Sequence, residues 1–193
     1  MKKVLLMVLC LAIIVSVAVA DNLKLTEFSL NSGKGAFTSG LDVTVRFGSD
    51  KYSIEVTGNS DRAYGVFFWK LPLGISVGVC AGEFKNQPQT GPYVVFAPVK
   101  FAYAFYWSGW GFGEPDKPSW DVKPFFSSAG IGTQLGNLKL SLIWFDFMGA
   151  KTWLPGISYG VKILESFWFS TGMDYKTSTK EPLFWLRVSY FPK

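Results

Sequence analysis

Apolar and polar residues alternate along the stretch from Pro155 to Tyr175. In its first half, Ile157, Tyr159, Val161 and Ile163 alternate with Gly156, Ser158, Gly160 and Lys162. After a turn at Leu164-Glu165, apolar residues again occupy every second position, from Phe167 onwards. A period of two over this length predicts two β-strands, each with one apolar face.

The second face of these two strands consists mainly of glycine and serine, with an occasional charge. A soluble sheet would present lysine, glutamate, aspartate and threonine to water on that face. Small side chains instead suit the narrow interior of a closed barrel, and the aromatic face would then meet lipid. The pattern therefore predicts a small transmembrane β-barrel.

The same alternation recurs along the chain and sets the number of predicted strands. Strands are expected near 41–47, 52–57, 62–71, 73–84, 93–107, 125–135, 138–147, 157–163, 167–175 and 184–190. The count is eight from Arg62 onwards, or ten with the hairpin at 41–57, and ten is favoured. The predicted fold class is all-β, a closed antiparallel up-and-down transmembrane β-barrel of eight to ten strands.

The longest predicted strand runs from Tyr93 to Trp107, where every odd position is apolar. These odd side chains are expected to face lipid, with Lys100 on the interior face. Pro98 removes one ladder hydrogen bond, so a β-bulge is expected there.

The first twenty residues have the pattern of a secretory signal peptide. Lys2 and Lys3 precede an apolar run, and Ala18-Val19-Ala20 forms a small-x-small cleavage site. An uncleaved membrane anchor is the alternative. Residues 21–40 are expected to form an N-terminal lead or an extra strand, and residues 41–193 the barrel.

Composition limits the classes of partner. Only 17% of the residues are charged, whereas about 25% is usual in soluble domains, and 18% are aromatic. Without Lys2 and Lys3 the 19 basic residues become 17, against 14 acidic ones, which is too small an excess to indicate nucleic acid. Cys80 is the only cysteine after residue 20, so no intrachain disulfide is expected.

The connections between the predicted strands differ in length. Turns at 164–166, 136–137 and 85–91 are expected on the periplasmic side, and loops 108–121, 149–155 and 176–182 outside. These outer loops would contact any extracellular or envelope partner. Candidate contact residues are Trp110, Phe112, Trp120 and Trp153, which would alternatively rest on the lipid headgroups.

The signal peptide, the meander of alternating strands, the aromatic belts and a last strand ending Tyr190-Phe191 resemble the small outer-membrane β-barrel proteins of diderm bacteria. The resemblance covers about residues 41–191 and is architectural. It implies an integral outer-membrane monomer with membrane lipid as its partner; a periplasmic or secreted protein is the alternative. Members usually end on an aromatic residue, whereas Pro192 and Lys193 follow here.

The sequence contains no histidine, which removes Ser-His-Asp and Cys-His catalysis and histidine-based metal or haem sites. We therefore expect no enzyme and no cofactor.

Charged residues on interior faces would pair to offset their desolvation. The predicted lumenal network comprises Lys100, Asp146, Lys162, Asp174 and Arg187, with Asp174 and Arg187 as the easiest pair. A bulge near Trp144 is expected to keep Asp146 away from lipid.

Three functions fit these patterns. The first is a non-catalytic outer-membrane barrel that is structural or acts through its surface loops in adhesion or partner binding. The alternative is a soluble, secreted, lipocalin-like barrel that carries a hydrophobic ligand on an inward aromatic face. A further alternative is a narrow pore, in which the lumenal charges form a gate or ion path.

Overall fold

The computed structural model describes residues 23–34, 39–59, 62–84, 87–99, 102–111, 124–147 and 149–192. The predicted signal peptide lies outside the described residues, as do Lys100, Phe112 and Trp120. Within the described ranges, no helix is long and apolar enough to cross a membrane.

The described chain forms one closed antiparallel barrel of twelve strands, in which each strand pairs with its neighbours in sequence and β1 pairs with β12. The strands are β1 (Lys24–Lys34), β2 (Ser39–Gly48), β3 (Tyr52–Gly58), β4 (Arg62–Lys70), β5 (Ile75–Phe84), β6 (Gln87–Val99), β7 (Ala102–Gly111), β8 (Pro124–Leu135), β9 (Leu138–Phe147), β10 (Ala150–Leu164), β11 (Phe167–Lys176) and β12 (Glu181–Tyr190). A short 3-10 helix, Pro72–Gly74, joins β4 to β5. The predicted fold class is confirmed.

The predicted strand count of eight to ten was too low. One additional strand is β1, which pairs with both β2 and β12 and so closes the barrel. The other arises because the single strand predicted from Tyr93 to Trp107 is two strands, β6 and β7, separated only by residues 100 and 101.

Periodicity did not reveal this division because two irregularities cancel. Val99 pairs with Ala102, so an odd position of β6 lies beside an even position of β7, which exchanges the odd and even faces between the two strands. A register shift between Phe96 and Val99 exchanges them back, so Phe96 pairs with Ala104. The odd positions therefore stay on one face through both strands. The irregularity expected at Pro98 lies within this shift.

The face assignment of this hairpin was also wrong. Tyr93, Val95, Phe105 and Trp107 face the lumen, while Val94, Phe96 and Tyr106 are exposed on the outer wall. Both faces of the hairpin are apolar, so alternation alone did not distinguish inside from outside. The neighbouring strands decide it, because β5 and β8 present glycine to the lumen at Gly78 and Gly130.

Strands β10 to β12 follow the predicted arrangement of faces. Ile157 is 44% exposed and Phe184 is 63% exposed on the outer wall. Ser158 and Gly172 pair with each other across β10 and β11 on the lumenal side. An apolar outer wall is the surface that a barrel presents to acyl chains.

Aromatic side chains fill one side of the lumen by lying over glycines. Val66, Phe68, Cys80 and Trp107 form a buried cluster, against which Tyr64, Tyr93, Val95 and Phe145 pack. Within it, Trp107 Nε1 donates to Cys80 Sγ at 2.8 Å, and the rings of Tyr64 and Trp107 are 5.0 Å apart between centroids. We call this group the aromatic wall; it makes the β4–β9 side of the lumen a packed core.

The two ends of the barrel differ from the predicted loop map. We call the end where β1 begins and β12 ends the base, and the opposite end the far rim. The turn predicted at 85–91 was expected at the same end as the turns at 136–137 and 164–166, which lie at the base. Instead, β5 ends and β6 begins at the far rim, because β6 and β7 are separate strands. The predicted outer loop 149–155 is largely strand, since β10 begins at Ala150.

We expect Gly130→Ala to destabilise the barrel by about 1–3 kcal/mol through overpacking. A Cβ at position 130 would lie 2.6 Å from Phe105 Cε1, inside van der Waals contact. The readout is the temperature at which the folded form loses its resistance to SDS on a gel. Gly65→Ala is the matched control, because its nearest neighbouring atom would be 3.7 Å away. Equal transition temperatures for the two variants would contradict the packing argument.

Candidate functional site in the barrel lumen

A buried carboxylate on β1 organises the charges near the base. A register shift between Leu25 and Glu27 turns Glu27 into the lumen, where it is 3% exposed. Arg46 Nη1 on β2 donates to Glu27 Oε2 at 3.0 Å, and Arg187 Nη2 on β12 donates to Oε1. Each carboxylate oxygen is thus bound by a different arginine, from the strands on either side of β1.

The hydrogen bonds continue from both arginines into neighbouring strands. Arg46 Nε donates to Glu55 Oε2 on β3 at 3.1 Å. Arg187 Nε donates to Ser189 Oγ at 3.0 Å, and Ser29 Oγ donates to Glu27 Oε1 at 2.5 Å. We call Glu27, Ser29, Arg46, Glu55, Arg187 and Ser189 the base network. It ties four strands together across the closure between β1 and β12.

A lumenal cavity of about 160 Å³ adjoins the base network. Its polar and aromatic lining includes Asn31, Tyr103, Lys139, Asp174, Trp185 and Arg187. Lys139 Nζ lies 4.7 Å from the centroid of the Tyr103 ring, a cation–π distance. With Phe105, which also lines it, the cavity combines two cations, one carboxylate and three aromatic rings.

Small residues on the strands behind the cavity leave room for it. Lys139 pairs with Ser158 on β10, which pairs with Gly172 on β11, which pairs with Trp185 on β12. The Trp185 ring covers Gly172, where a Cβ would lie 2.6 Å from Trp185 Cε2. The indole lies against the barrel wall instead of crossing the lumen, and space remains in front of it.

The structure separates the residues of the predicted lumenal network. Asp174, which is 6% exposed, and Arg187 both line the cavity. Lys162 occupies a lumenal position of β10 opposite Trp168, nearer the base. Asp146 lies at the far rim, where its Oδ1 accepts a hydrogen bond from Gly149 N at 2.9 Å.

The bulge expected near Trp144 is absent from the described ladders on both sides of β9. The pairing runs without a shift from Leu138 to Phe147 with β8 and β10. Asp146 is kept from the hydrocarbon by its place at the end of the strand, in the turn to β10.

Five lumenal charged residues were not predicted from the sequence: Glu27, Asp42, Arg46, Glu55 and Lys139. Arg46 and Glu55 lie opposite each other in the β2–β3 hairpin, and this register follows from the turn between Gly48 and Tyr52. The polarity of that hairpin face is visible in the sequence, where Asp42, Thr44 and Arg46 alternate with apolar residues. Glu27 was hidden because its bulge interrupts the alternation of β1.

The aromatic residues proposed as loop contacts have a different setting. Trp153 is 50% exposed on β10 and pairs with Trp144 of β9, so it belongs to the outer wall near the far rim. Trp110 lies near the far-rim end of β7.

The described residues contain no group of three or more cysteine, aspartate or glutamate side chains placed to hold a metal ion.

No known protein family and no characterised protein matches the sequence. Solved structures do match the fold. The KdgM porin in complex with disordered oligogalacturonate aligns with 88% of this chain and 100% of its own, with a TM-score of 0.54 and 8% identity. The NanC porin aligns with 88% of this chain and 100% of its own, with a TM-score of 0.53 and 9% identity.

The chain has the fold of an outer-membrane β-barrel protein. Its closed antiparallel ladder satisfies backbone hydrogen bonds within the wall, which a strand-built membrane protein requires. Its outer wall is apolar along the strands, as acyl chains require. The predicted architecture and the outer-membrane location are confirmed at this level.

Glu27→Ala is expected to lower the free energy of unfolding by about 1–3 kcal/mol, since it leaves Arg46 and Arg187 short of their shared acceptor while lumenal water compensates in part. Urea-induced unfolding in detergent micelles measures this change. Glu181→Ala is the control, because Glu181 is an exposed residue at the far-rim start of β12. An effect at position 27 no larger than at position 181 would contradict a structural role for the base network.

Proposed function

We propose that this protein is a non-catalytic, narrow channel for small polar solutes across the outer membrane. The observation that supports the proposal is the charged lumenal cavity, which is lined by residues of β1, β7 and β9–β12. Lipid cannot reach these side chains, and their polarity suits water and solutes.

Strand number supports a restricted passage. Eight-stranded barrels have interiors filled by side chains, and sixteen-stranded porins hold an open aqueous channel. Twelve strands lie between these limits. Here the aromatic wall occupies part of the cross-section, so the remaining route runs off centre, past Lys139, Asp174 and Arg187.

The size of the cavity limits the solute. About 160 Å³ holds on the order of five water molecules at the volume of liquid water. Solutes of about the size of a monosaccharide would therefore pass in single file, with contact on several sides. The similarity in fold to porins supports a channel function. The binding of oligogalacturonate is a property of the KdgM porin.

A structural or adhesive barrel acting through its outer loops is the second candidate. The observation that favours it is the packing of the lumen, because the aromatic wall and the base network both stabilise a filled interior. A soluble lipocalin-like carrier fits poorly, since Ile157, Phe169 and Phe184 lie on the outside of the barrel.

Purified protein in a planar bilayer is expected to give small, discrete conductance steps, and Ser158→Trp should reduce the step size by about half or more by narrowing the cavity. Ser158 faces the lumen opposite Lys139. Tyr159→Trp on the outer wall of the same strand is the matched control and should leave the conductance unchanged.

Two results would count against a channel. Folded protein that gives no steps in the bilayer would favour the structural or adhesive barrel. Steps that respond equally to both tryptophan variants would show that the current does not follow the cavity.

A further inference from the structure

The lumenal charges of this barrel are balanced in number. Away from the two rims, the described lumenal positions carry four cations and four carboxylates. The cations are Arg46, Lys139, Lys162 and Arg187, and the carboxylates are Glu27, Asp42, Glu55 and Asp174. A passage that concentrates polyanions needs an excess of one sign of charge, which these positions lack.

The balance is local as well as numerical. Both arginines bind Glu27, and Arg46 also binds Glu55, so the positive potential of each guanidinium is offset within hydrogen-bonding distance. In the cavity, Lys139 is accompanied by Asp174. A carboxylated solute entering the cavity would meet the carboxylate of Asp174 together with the cations of Lys139 and Arg187.

The remaining chemistry of the cavity suits hydroxyl groups. Lys139 supplies donors, Asp174 supplies acceptors, and the side chains of Asn31 and Ser158 supply both. The rings of Tyr103 and Trp185 add flat apolar surfaces, and such surfaces with a few polar groups are typical of small-molecule sites.

We propose that the passage admits neutral, hydroxyl-rich solutes of monosaccharide size in preference to acidic ones, and that Glu27 determines this preference. This rests on the proposed channel function. Glu27 acts by cancelling the fields of Arg46 and Arg187 at the point where the passage adjoins the base network. Without its charge, the same lumen would attract anions.

Swelling of proteoliposomes in glucose, galacturonate and glucosamine tests the preference, because these solutes are similar in size and differ in charge. Glucose should enter faster than galacturonate and at least as fast as glucosamine. Entry of galacturonate that is as fast as, or faster than, entry of glucose would overturn the proposal.

Reversal potentials in a potassium chloride gradient test the role of Glu27. The unaltered protein should give a value near zero, and Glu27→Gln should raise the chloride-to-potassium permeability ratio by about two- to fivefold. Glu55→Gln removes the charge of the second carboxylate that is bound to Arg46, and it should shift the permeability ratio in the same direction. This variant provides the test if the Glu27→Gln protein does not fold. Glu181→Gln at the far rim is the control and should leave the ratio unchanged.

The outcomes separate the two proposals. An absence of conductance and swelling would remove the channel function and this inference with it. A conducting protein that is already strongly anion-selective, or whose ratio does not respond to Glu27→Gln and Glu55→Gln, would overturn the inference and leave the channel function standing.

Discussion

The structure depends on the requirement that a sheet in lipid leave no strand edge unpaired. An open sheet would expose backbone N–H and C=O groups to hydrocarbon, at a cost of several kcal/mol for each group. Here the last edge is removed by pairing β1 with β12. Glu27, Ser29, Arg187 and Ser189 reinforce that junction from the inside, so two of the residues that close the barrel, Glu27 and Arg187, also belong to the charged groups of its lumen.

Closure then leaves the interior to be filled, and the two sides of the lumen are filled differently. On the β4–β9 side, large rings lie over glycines, as Phe105 lies over Gly130 and Tyr103 over Gly132. On the β9–β12 side, serine and glycine face a cavity with charged groups at its border. Apolar packing stabilises the first side, and the pairing of charges offsets their desolvation cost on the second side.

This asymmetry links stability to the proposed function. The aromatic wall gives rigidity without occupying the whole cross-section, so a passage can coexist with a packed core. Because each arginine in the base network is matched by a carboxylate, the lumen is polar without being strongly charged. Its selectivity would then follow from size and hydrogen bonding more than from long-range electrostatic attraction.

The sequence by itself determined the barrel class and the faces of β10 to β12, because alternation between Gly/Ser and apolar residues has a physical meaning only in a closed wall. It also indicated Asp174 and Arg187 as lumenal. Tertiary structure alone decided the inward side of the β6–β7 hairpin, where both faces are apolar and a bulge hides the turn from any count of odd and even positions. It likewise brought Glu27 to Arg187, which are 160 residues apart in the chain and meet only when the barrel closes.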